Sequence, residues 1–113
     1  MIEGRATASI LVLCTCPDRD TAERIATALV ERRLAACVNV LPGVRSFYVW
    51  QGNTEVGDEL LLLVKSSASA YPALQAAIKD MHPYEVPEIV ALSIAQGLPA
   101  YLRWIEEVVE DKS

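Results

Sequence analysis

Five consecutive apolar residues, Leu60-Leu61-Leu62-Leu63-Val64, stand between Glu59 and Lys65 and leave that stretch without polar alternation. Along an extended strand successive side chains point to opposite faces, so such a run puts apolar groups on both sides of a sheet. Helices from the same chain shield one side, and the other needs a further cover; association with other copies is the economical one. Ser9-Ile10-Leu11-Val12-Leu13-Cys14-Thr15 is a second run of this kind and reads as a central strand.

The segments between these runs set the order of elements. Pro17-Asp18-Arg19-Asp20 breaks the first strand, and Asp20 with Glu23 three residues on has the spacing of a helix cap. Ala22, Ile25, Ala26, Leu29 and Val30 then form one apolar stripe, with the helix ending near Arg33. From Ala36 to Trp50 a long β-favouring segment is interrupted by Pro42-Gly43, which predicts a bend or bulge. Turn residues Gln51-Gly52-Asn53-Thr54 lead to the strand Glu59 to Lys65, making a hairpin.

A second helix is expected from Ser66 to Met81, stopped by Pro83, followed by a core strand from Pro87 to Ile94. Gly97-Leu98-Pro99 opens a closing helix with Leu98, Leu102, Ile105, Val108 and Val109 on one face. The order βαββαβ plus a helix predicts an α+β, ferredoxin-like sandwich with an extended hairpin between its second and third strands.

A chain of 113 residues that is 52% hydrophobic buries one core, which is expected over residues 8–110. Ile2-Glu3-Gly4-Arg5 matches the recognition site of a protease used to remove tags, so residues 1–7 are expected to be a tag remnant or a disordered native start. Ten basic against fifteen acidic residues give a net charge of -5, and no basic cluster exceeds Arg32-Arg33, which excludes a nucleic-acid partner. No membrane span or signal peptide is expected, and three cysteines without a disulfide framework predict reduced thiols in the cytoplasm.

His82-Pro83-Tyr84-Glu85-Val86-Pro87-Glu88-Ile89 resembles the His-Pro-Tyr…Pro-Glu signature of the CutA divalent-cation-tolerance family. Leu34-Ala35-Ala36-Cys37-Val38-Asn39, Tyr48-Val49-Trp50-Gln51-Gly52, Leu63-Val64-Lys65-Ser66 and Tyr101-Leu102-x-Trp104 resemble further family segments, in the same order. The resemblance implies a homotrimer, a role in tolerance to divalent metals such as copper, and a kinship in architecture to nitrogen-regulatory signalling proteins. The family's proposed copper site uses a cysteine at the end of the first strand and a His-His pair before Pro-Tyr. Here Cys14 and His82 match, while Met81 stands in the place of the first histidine; its thioether suits Cu(I) better than Zn(II) or Cu(II).

The residues themselves leave alternatives open. Cys14 and Cys16 share one strand face, close enough to hold a soft ion, although copper chaperones of similar fold use a Cys-x-x-Cys loop that this chain lacks. Cys14 and Cys37 also suit small buried core positions, and Cys16, next to Pro17, is expected to be exposed and oxidisable. His82 serves equally as a metal ligand or as a cap donating to the last carbonyls of the second helix.

The resemblance also implies an intersubunit cleft holding Trp50, Lys65, Tyr84 and Glu88, with Glu59 and Glu85 nearby and room for a small anion. An ion pair between Lys65 and a glutamate across the interface is the alternative there. Phe47, Tyr48 and Trp50 are expected to pack between subunits, because no basic charge or matching aromatics accompany them on the next strand. No nucleophile-base pair or phosphate-cradling glycine loop is visible, so the expectation is a non-enzymatic, metal-responsive trimer. The alternative is a signalling or scaffold trimer that binds a small metabolite or partner protein in its clefts.

Overall fold

The computed structural model describes residues 8–110, and the expectation for residues 1–7 lies outside the described residues. Both apolar runs become central strands. β1 (Ser9–Cys16) pairs antiparallel with β3 (Asn53–Ser67) on one side and β4 (Ile89–Ser93) on the other, while β2 (Cys37–Trp50) pairs antiparallel with β3 at the far edge. The strand order is β2-β3-β1-β4, and helices α1 (Arg19–Glu31), α2 (Tyr71–Met81) and α3 (Pro99–Glu110) complete a mixed α+β fold. Two crossovers, through α1 and through α2, each skip one strand.

Alternation along the strands decides where the core sits. Ile10, Val12, Cys14 and Cys16 of β1 join Leu62 and Val64 of β3 in one buried cluster with Ile25 and Leu29 of α1 and Leu74 and Ile78 of α2. The alternate residues Leu11, Leu13, Leu61 and Leu63 face the other way and are half-buried, and near them Leu41, Val90 and Leu92 are 39%, 46% and 51% exposed. α3 buries Ile105 and Val109 against Ala36 and Ala70, a separate and smaller cluster. The sheet therefore keeps an apolar face that its own helices cover only in part. Four of the five β4 residues are exposed, so this strand is an edge and not the expected core strand.

Local chemistry moves several boundaries. Asp18, not Asp20, caps α1: its Oδ1 accepts from the Thr21 backbone N–H at 2.8 Å, and this bond holds the Asp18 carboxyl below its usual range. Asp20 lies in the first turn, where it accepts from Arg24 Nε at 3.1 Å. The helix ends at Glu31, before Arg32-Arg33, because Arg33 adopts φ 59° and the chain reverses. Leu34 N–H then donates to Leu29 O at 2.9 Å and Arg33 N–H to Val30 O at 3.0 Å, the paired bonds of a Schellman terminus.

Val30, one residue past Leu29 and hence about 100° around the helix, falls off the buried stripe and is 41% exposed. Leu98 precedes α3 and offers its carbonyl to Tyr101 N–H and Leu102 N–H, while its side chain is 70% exposed. The apolar periodicity places both on buried faces, and the structure does not.

The β2-β3 hairpin is longer than the apolar run alone indicates. Gln51 (φ 51°) and Gly52 (φ 81°) make a two-residue turn with both φ values positive, so Trp50 pairs at once with Asn53 and β3 begins there and not at Glu59. Pro42-Gly43 forms the expected bulge, with the register shifting between Leu41↔Leu61 and Val44↔Glu59 and Gly43 at φ 82°. At the other end β3 runs on to Ser67, because Ser66 and Ser67 still pair with Ile10 and Ser9. A 3-10 turn, Ala68–Ala70, follows, and α2 therefore starts at Tyr71 and not at Ser66.

Candidate metal centre and adjoining cleft

Cys14 and Cys16 sit two residues apart at the end of β1, so both thiols enter the layer beneath the helices, and both are fully buried. This overturns the exposed position expected for Cys16: Pro17 follows the strand but does not lift residue 16 out of the pleat. Cys37 is half-buried instead, pairing with Lys65 across β2 and β3, with its sulfur 4.0 Å from Lys65 Nζ.

His82 is the C-cap of α2, and its backbone N–H donates to Ile78 O at 2.9 Å. Its ring does not cap α2. Nε2 lies 2.8 Å from the Thr15 carbonyl of β1, and the Tyr84 backbone N–H donates to Nδ1 at 3.2 Å. A carbonyl only accepts and an amide only donates, so the ring is the neutral Nε2–H tautomer, bridging β1 and the chain after α2.

Among the described residues, Cys14, Cys16 and His82 form a group whose ligand atoms all lie within 4.8 Å of one another. The two thiols behave as a pair. The Cys14 thiol donates to the Thr15 carbonyl at 3.7 Å, and its interaction with the neighbouring Cys16 sulfur, followed by burial, pushes Cys14 well above the usual thiol range, while the same interaction draws Cys16 below it. Cys16 is therefore the more acidic of the two thiols, and loss of the Cys14 proton as well calls for a cation to compensate the charge. Met81, adjacent to His82 in the chain, packs against the edge of the core and lines a shallow groove with Asp20, Arg24 and Thr27 of α1.

On the other side of Thr15 lies a cleft of about 600 Å³, lined by Thr15 and by residues of the hairpin and the 84–88 segment. Trp50, Tyr84 and Glu88 line it, with Glu59 and Glu85. Lys65 is not among the lining residues; its ammonium donates to Asn39 Oδ1, along β3 from Glu59. Glu59 organises one wall: Ser46 Oγ donates to its Oε1 at 2.6 Å and the Tyr84 hydroxyl to its Oε2 at 2.9 Å. Partial burial and then the bond to Glu59 push the Tyr84 phenol up to about 12. Among the described residues, three carboxylates and no Lys, Arg or His line this cleft, which reverses the charge expected of a small-anion site.

Ser46, Tyr48 and Thr15 also line the cleft and were not singled out from the sequence as site residues. The available signal was the two-residue spacing of Ser46, Tyr48 and Trp50, which places them on one face of β2.

The sequence model of the family described as "CutA1 divalent ion tolerance protein" matches residues 10–108, and that description names a tolerance and not a reaction. A Thermus thermophilus protein named "Divalent-cation tolerance protein CutA" is 55% identical over 97 residues, covering 86% of this chain and 94% of its own. The crystal structure of CutA from Xylella fastidiosa superposes with a TM-score of 0.89 at 43% identity, over 91% of this chain and 99% of that one. A structure described as "periplasmic divalent cation tolerance protein CutA" from Archaeoglobus fulgidus gives 0.87 at 39% identity, over 89% and 98%. Among the described residues, no helix is long and apolar enough to cross a membrane.

Proposed function

The chain belongs to the CutA divalent-cation-tolerance family, and from that premise we propose that it is a metal-responsive binding protein whose ion is held by Cys14, Cys16 and His82. The convergence of these three ligand atoms within 4.8 Å is the observation that carries this reading. Two sulfurs and one imidazole nitrogen make a soft, low-coordinate set suited to Cu(I), whereas a closed structural Zn(II) site needs a fourth ligand. Binding requires the His82 ring to release either the Thr15 carbonyl or the Tyr84 amide, so metal occupancy would be felt in the segment leading into the cleft. That coupling is what a metal-responsive protein needs, and copper is the ion proposed.

The assembly proposed is a homotrimer of ferredoxin-like subunits. The strand order β2-β3-β1-β4 with two strand-skipping crossovers supports the subunit description, and the half-covered apolar sheet face supports association. The buried, unpaired thiols suit a reducing compartment, the cytoplasm.

Anaerobic titration of the reduced protein with Cu(I) against a competing chelator tests the site. One ion per chain is expected, with affinity falling on the order of a hundredfold or more in Cys14→Ser and Cys16→Ser and remaining unchanged in Met81→Leu. Parent-like affinity in both cysteine variants would remove this reading. His82→Ala is expected to lose about 2 kcal/mol of stability as well, because the Thr15 carbonyl and Tyr84 amide lose their partner.

A further inference from the structure

We propose that the cleft beside the metal centre is a binding site for an organic cation of the aliphatic diamine or polyamine class. Glu59, Glu85 and Glu88 put three carboxylates around one cavity of about 600 Å³, and no basic side chain of the described residues lines it. Glu59 accepts hydroxyl hydrogen bonds from Ser46 and Tyr84 and, among the described residues, makes no ion pair, so its position is fixed while no cation of these residues compensates it. No Lys, Arg or His among the described residues lines the cavity, so nothing in its lining there offsets this negative charge.

The remaining walls are aromatic. Tyr48 and Trp50 project from one face of β2, each about half exposed, and Tyr84 faces the same space from the segment after α2. Ring faces attract ammonium groups and take methylene chains by apolar contact, so rings interspersed with carboxylates match a ligand that alternates ammonium and methylene groups.

A single metal ion fits this cleft poorly. Three ligand atoms converge only at Cys14, Cys16 and His82 among the described residues, and the three glutamates do not come together in this way. Carboxylates spread around a cavity suit a ligand whose positive charges are themselves spread. The site adjoins the metal centre through Thr15 and Tyr84, which both hydrogen-bond the His82 ring, but its three carboxylates and the rings of Tyr48 and Trp50 lie outside that centre.

The test is calorimetric titration of the assembled, metal-free protein with spermidine and with 1,4-diaminobutane, beside MgCl2 and a neutral diol of matched length, at fixed ionic strength. Trp50 emission is followed in a Trp104→Phe background. Saturable amine binding is expected that exceeds Mg2+ binding and is absent with the diol. Glu88→Gln and Glu85→Gln should each weaken it by roughly three- to tenfold and Trp50→Ala by a similar factor, with far-ultraviolet circular dichroism unchanged. Amine binding no stronger than Mg2+, insensitive to these substitutions, or absent because a neighbouring copy fills the cleft, would overturn the proposal.

Discussion

Tyr84 carries three roles in one residue. Its backbone N–H donates to His82 Nδ1, its ring centroid lies 4.7 Å from the His82 ring, and its hydroxyl donates to Glu59 across the cleft. The neutral phenol is the form that burial and the Glu59 bond favour, so its folded pKa rises above the ordinary 10.0 to about 12. The sign follows from linkage: the contribution of this phenol to stability is complete below about pH 10 and is lost as pH rises through about 12. In an ultraviolet titration of the four tyrosines, one phenol is expected to ionise close to pH 12 and to be missing from Tyr84→Phe. A Tyr84→Phe curve that still shows it would assign the late phenol elsewhere.

Among the elements, the β2-β3 hairpin does most to shape the site. The bulge at Pro42-Gly43 places two residues opposite Leu60 and bends β2, and the tight turn at Gln51-Gly52 brings Trp50 back against Asn53. Beyond the helices this hairpin carries Ser46, Tyr48, Trp50 and Glu59 as a cleft wall. Gln51 occupies a left-handed position that asparagine adopts at lower cost, and Asn-Gly is the preferred pair for such a turn. Gln51→Asn is therefore expected to raise the unfolding free energy by about 0.5 kcal/mol in denaturant titration. No change, or a loss, would mean that the Gln51 side chain contributes contacts that outweigh the backbone gain.

For the whole molecule, the unresolved demand is the apolar side of the sheet. Leu11, Leu13, Leu61 and Leu63 lie half-buried there, with Val90 and Leu92 about half exposed at the β4 edge. The proposed association with further copies would cover this face beside the edge strand. Sedimentation equilibrium is expected to give three times the 12.4 kDa chain mass, and Leu92→Lys, which sets a charge at that edge, to shift the midpoint of dissociation to at least tenfold higher concentration. A mass of twice the chain would keep the covered face and discard the trimer.

The strand and helix order, the two central strands and the bulge were legible in the sequence, because they follow from apolar periodicity and from the backbone restrictions of proline and glycine, which act locally. The family signature likewise brought Cys14, His82, Trp50, Tyr84 and Glu88 into view. What only the tertiary structure decided is what lies across from what. Cys16 is buried because α1 and α2 close over the end of β1. The His82 ring turns to Thr15 because β1 presents a carbonyl where α2 ends. Lys65 parts from the cleft because the residues between it and Glu59 lie extended along β3. Distances between segments remote in sequence depend on the packing of all the layers together, and no periodicity within one segment encodes them.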